Sequence, residues 1–108
     1  MTRASAQLAE RDAGRCTLAG ALTLETAPWL WSELRDGGLL ASAVEADLAG
    51  VTESDSAGLA LLIAWRAVRR NTGGEIRFTG LPQRLQLLAA LTGAEAALSA
   101  APPAAPGA

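Results

Sequence analysis

The sequence predicts a small α/β fold: one domain, a mixed sheet of four to five strands with helices packed against it, in the order β-β-α-β-α-β-α. Three observations carry this. The chain has 108 residues, 50% of them hydrophobic, which suits one packed core and leaves little room for two. Short apolar or alternating runs bounded by Gly, Asp and Asn are interleaved with helix-length stretches from Thr26 onward. Strands separated by helices in this way are joined by crossovers and therefore pair in parallel.

Residues 6–10 and 15–22 read as two strands, with Asp12-Ala13-Gly14 as the turn between them. Cys16, Leu18 and Gly20 alternate with Thr17, Ala19 and Ala21, as a sheet with one buried face requires. Thr26 is placed to cap a helix over 27–35, where Pro28 in the first turn has no N–H to lose; Gly37-Gly38 ends it. Val44–Leu48 is a brief apolar strand. The longest helix runs from Ser56 to Asn71 and stops at Asn71-Thr72-Gly73-Gly74. Ile76–Thr79 is a further strand with Ile76 and Phe78 on one face, and Gly80-Leu81-Pro82 turns the chain into a helix ending near Leu91. A small Ala-rich segment follows Thr92-Gly93. The domain is thus expected over 6–98, and the Ala/Pro tail over 99–108, with little bulk to dock, is expected to be disordered.

Composition removes several chemistries. All nine basic residues are Arg, and there is no Lys, His or Tyr. Without His there is no Ser-His-Asp triad, imidazole base or His-ligated metal; without Lys there is no Schiff base or P-loop lysine. The net charge of −2 speaks against a nucleic-acid partner. Asp47, Glu53 and Asp55 lack a suitably spaced partner for a metal site, so neither metal nor cofactor is expected, and an enzyme is not expected. Cys16, the lone cysteine, reads as core filler in a reduced compartment. With no signal-peptide core and no apolar run near the ~20 residues of a membrane span, the protein is expected to be soluble and cytoplasmic.

The most informative stretch is Ala46 to Leu62, in which an apolar run passes through a polar loop into the apolar helix at Ser56. Asp55 or Ser56 can cap that helix, because a side-chain oxygen there accepts from the unpaired first N–H groups. The order of elements, with Asp55-Ser56-Ala57-Gly58-Leu59 between strand and helix, resembles the STAS family. That family's pattern is an acidic residue, Ser or Thr, two small residues and Leu. The break before Glu75 and the turn Thr79-Gly80-Leu81-Pro82 are similar to the family's later half, and the resemblance covers about residues 6–98.

The resemblance implies one of two roles. In anti-sigma factor antagonists the Ser, here Ser56, is phosphorylated by an anti-sigma factor that is also a kinase. In the Mla-type lipid-asymmetry ABC transporter a small STAS subunit docks on the cytoplasmic ATPase. The helix Ala27-Pro28-Trp29-Leu30-Trp31 and the run Asp55 to Leu62 are similar to the transporter subunit, although that group commonly has Thr where Ser56 stands. The implied partner is therefore the ATPase of a phospholipid-transporting complex, with membrane contact only through the complex. The alternative is the anti-sigma factor kinase.

The long helix adds an argument of its own. At ~100° per residue, Gly58, Leu61, Leu62, Trp65 and Val68 fall on one side, and Ser56, Leu59, Ile63, Arg66 and Arg70 on the other. A surface helix needs one apolar stripe, so either the first half of this helix is buried all round or the second stripe faces a partner; in so small a sheet-and-helix domain the partner face is expected. Asp55, Ser56, Ala57, Leu59, Ile63 and Arg66 are the residues expected to bind it, with Leu59 and Ile63 as apolar anchors. Ser56 itself keeps three readings: partner contact, simple cap and phosphoacceptor. Arg66, Arg69 and Arg70 read either as a phosphate or membrane-surface patch or, more simply, as cations suited to the end of a helix. Trp29 and Trp31, two apart, cannot share a face, so one is expected inside and the other partly exposed.

Overall fold

The computed structural model describes residues 5–98, and the Ala/Pro tail lies outside them. Its elements are β1 (Ala6–Asp12), β2 (Arg15–Leu22), α1 (Ala27–Asp36), α2 (Leu39–Ser42), β3 (Glu45–Ser54), α3 (Ser56–Asn71), β4 (Arg77–Thr79) and α4 (Gln83–Thr92), followed by a 3₁₀ turn at Glu95–Leu98. The four strands form one mixed sheet in sequence order: β1 antiparallel to β2, then β2, β3 and β4 parallel.

The first hairpin turns on Ala13 and Gly14, both at positive φ, the pattern that matches a two-residue turn to strand twist. On one face of the sheet Cys16, Leu18, Ala46, Leu48 and Phe78 are buried and join the core. The alternate residues, Thr17, Ala19, Glu45, Asp47 and Thr79, are only half-buried and Arg77 is exposed, so the core lies on one side of the sheet. At one end of the open face a row of alternating charge crosses all four strands, with Asp12 paired to Arg15, Arg15 to Glu45 and Glu45 to Arg77. Arg15 and Glu45 also form an ion pair at 3.5 Å.

Three expectations need correction. The strand expected at Val44–Leu48 runs on to Ser54, because β2 supplies partners as far as Leu22↔Ser54; the polar residues of that stretch are strand, not loop. The segment after Gly38 is not a plain connection. Gly38 takes φ 80°, which an L side chain disfavours, and starts the short helix α2, whose Leu39 and Leu40 are buried. Thr26 does stand at the N-cap of α1 but makes no cap bond; its hydroxyl donates to the Ala21 carbonyl at 2.8 Å and accepts from the Thr23 N–H at 3.0 Å.

Helix α3 forms the centre of the helical layer. It packs against α1 and α2 as well as α4 and the 3₁₀ turn. Trp65 is fully buried, its indole N–H donating to the Leu39 carbonyl at 3.1 Å and its ring meeting Phe78 edge-on at 5.8 Å. Trp29 is 46% exposed and Trp31 is half-buried against the core, so the two indoles of α1 part, although neither is wholly inside as one was expected to be. Burial, with the charge of Glu10, pushes the Cys16 thiol up to about 11, which leaves it an unreactive core side chain at neutral pH.

Candidate functional site

The acid that precedes α3 ties two elements together. Asp55 is the N-cap: its Oδ1 accepts from the N–H of Ala57 at 2.9 Å and of Gly58 at 3.1 Å, satisfying two donors that the first turn leaves open. Its Oδ2 accepts from the N–H of Leu24 at 3.1 Å, in the turn between β2 and α1. Burial works to raise this carboxyl, but the N–H donors of Leu24, Gly58 and Ala57, with the charge of Arg84, outweigh it and hold it below its ordinary 3.8. Of the two capping candidates, then, Asp55 caps. Ser56 is the first helical residue and is exposed, so it is open to a partner.

The glycine of the motif has a steric reason. A Cβ on Gly58 would run into the Leu22 carbonyl, so only hydrogen fits where α3 crosses the end of β2. On the other flank the Arg84 guanidinium on α4 donates from Nε to the Ser54 carbonyl at 2.8 Å. The end of β3, the start of α3, the β2–α1 turn and the start of α4 therefore converge on one pole of the fold.

The structure brings some of the expected binding residues to this pole and separates others. Asp55, Ser56 and Ala57 are together there. Leu59 is not an exposed anchor: it is 4% exposed and part of the chain's own core. Ile63 is half-buried and packs against that core. Arg66 is buried, 3.6 Å from Glu75, and ten residues along the helix from Ser56, roughly 15 Å along the axis. Leu59 and Arg66 of the second stripe are covered within the chain, because helices lie on both flanks of α3, while Ser56 and Arg70 of the same stripe stay exposed.

The arginine patch also dissolves. Arg69 is buried and bonded to the Ala41 and Ala43 carbonyls at the end of α2, while Arg66 and Arg70 both meet Glu75. Among the described residues no cluster of His, Cys, Asp and Glu is placed to hold a metal ion, and no helix is long and apolar enough to cross a membrane.

What sequence reasoning missed at this pole is Leu24, 71% exposed, and Arg84. Leu24 carried a signal, an apolar residue inside a turn where polar ones are the rule. The pole thus presents an exposed hydroxyl and an exposed leucine on a frame tied together by Asp55.

A search of curated proteins finds no match to the chain. A family model described as the Mlab STAS domain matches residues 5–99, nearly all of the sequence and every element described above. The chain belongs to the STAS domain family.

Proposed function

We propose that this STAS domain is a protein-interaction subunit that docks on the ATPase of a phospholipid-transporting, Mla-type ABC complex and stabilises or regulates it. In this reading it serves the lipid asymmetry of the outer membrane. The observation that carries the proposal is the exposed Ser56 at the head of α3, beside a turn held by Asp55, in a chain matched by the Mlab family model. The protein touches neither nucleotide nor lipid. It is cytoplasmic and reaches the inner face of the inner membrane only through the complex. Its contribution is binding energy, spent on assembly or on the ATPase's conformational equilibrium.

Affinity capture of the tagged protein from cytoplasm and solubilised membranes tests this, with mass spectrometry of what is retained. An ABC ATPase together with its permease supports the reading. A kinase-like anti-sigma factor supports the alternative, in which the protein is an antagonist switched by phosphorylation of Ser56. The exposed Ser56 hydroxyl, left free of capping by Asp55, serves that second reading as well as the first. Phosphotransfer from ATP to Ser56 by the purified kinase decides it.

A further inference from the structure

The β2–α1 turn is over-determined for a surface loop. The Ala27 N–H donates to the Thr23 carbonyl at 2.8 Å, the Thr23 N–H to the Thr26 hydroxyl at 3.0 Å, the Thr26 hydroxyl to the Ala21 carbonyl at 2.8 Å, and the Leu24 N–H to Asp55 at 3.1 Å. What this frame presents is Leu24, with 71% of its surface in solvent. A large apolar side chain held rigid and exposed pays little ordering entropy when a partner covers it.

The charge around it points to the partner's chemistry. Glu25 is exposed on the same turn, Glu53 is exposed where β3 pairs with Ala21, and Asp55 is kept ionised; against these acids stands Arg84, bonded to the Ser54 carbonyl. A net acidic rim repels the phosphates of an anionic membrane or a nucleic acid. It complements a protein surface that carries Arg and Lys.

We propose that the Thr23–Thr26 turn is the second arm of the docking surface, seating Leu24 in an apolar pocket of the ATPase whose rim is Arg- and Lys-rich. Asp55 is the positioning residue that fixes Leu24 relative to Ser56. This rests on the ATPase reading above and names the part of the partner that meets the pole.

Titration calorimetry of the full chain against the purified ATPase subunit tests it, at about 0.05 M and about 0.5 M salt. Leu24→Ser is expected to weaken binding about tenfold at both salt concentrations, with an unchanged melting temperature because the side chain touches little. Glu25→Lys is expected to weaken it at low salt, with the difference shrinking at high salt as the charges are screened. Wild-type binding that neither substitution alters overturns the second arm and leaves the ATPase reading standing. Absence of wild-type binding overturns both.

Discussion

The carboxylate of Asp55 joins the backbone of Leu24 to the start of α3, with one oxygen on the Leu24 N–H and the other on the N–H groups of Ala57 and Gly58. One side chain thus fixes the spacing between an exposed leucine and the exposed Ser56. Asp55→Ala removes the cap and frees the turn together. The expected cost is ~1–2 kcal/mol, seen as a lower midpoint in urea, with the Leu24 amide losing hydrogen-exchange protection. An unchanged midpoint would show that water replaces the carboxylate without loss.

The same residue makes stability fall in acid. Its carboxyl lies below its ordinary 3.8, so the unfolded chain takes up the proton more readily than the fold does. The stabilisation is complete above 3.8 and drains away as pH falls through the lower folded value. Asp55→Asn keeps an acceptor at the cap but does not titrate. Its stability curve is expected to fall less steeply than the wild type's below pH ~4, measured by denaturant unfolding across that range.

Gly58 is the position where the motif's demand for a small residue can be tested most sharply. Gly58→Ala would ordinarily favour a helix by about 1 kcal/mol. Here the added methyl meets the Leu22 carbonyl, which is part of the sheet and cannot swing aside. A loss of ~1–3 kcal/mol is expected instead. The sign of the change, read from thermal melting, separates steric demand from helix propensity.

How far the sequence revealed this arrangement depends on the range of the forces involved. The α3 boundaries, Ser56 to Asn71, were legible because a cap and a glycine stop are local signals. The burial of Ile76 and Phe78 was legible from period two. The reach of β3 to Ser54 was not, since Gly50 and the polar residues after it look like loop until β2 is laid beside them. Helix α2 was hidden for a similar reason. Its four residues have too little local signal, and the bonds that hold it come from Trp65 and Arg69 on a distant helix. The misjudged exposure of Leu59 has the same origin, because a helical wheel counts stripes and does not reveal how many neighbours a helix has.

That correction changes what mutations in α3 should do. Leu59→Ala is expected to cost ~2–4 kcal/mol of stability, as for other buried leucines, without reporting on any partner directly. Ile63→Asp, which the second-stripe reading expects to spare the fold, now places a charge against the core and should lower the melting temperature as well. Ile63→Ala is the milder probe. Paired melting and binding measurements on it and on Ser56→Ala should show Ile63 acting mainly on stability and Ser56 only on binding.

Arg69 gives the last prediction. Its Nε donates to the Ala43 carbonyl at 2.7 Å and its Nη1 to the Ala41 carbonyl at 2.6 Å and the Thr72 hydroxyl at 2.8 Å. The guanidinium therefore closes the C-terminal end of α2, where partial negative charge gathers, from a helix 26 residues further along the chain. Gly74 leaves room for it, since a Cβ there would strike the guanidinium. Arg69→Met keeps the apolar stem but strands the Ala43 carbonyl and leaves that of Ala41 only the Thr72 hydroxyl, at an expected cost of about 2 kcal/mol. Arg69→Lys carries the charge on a single point and cannot span both carbonyls in a fork, so it should recover only part of the loss. Denaturant midpoints of the two variants check this. If Met matches wild type, packing of the stem and not the guanidinium holds α2; if Lys matches wild type, the fork geometry is dispensable.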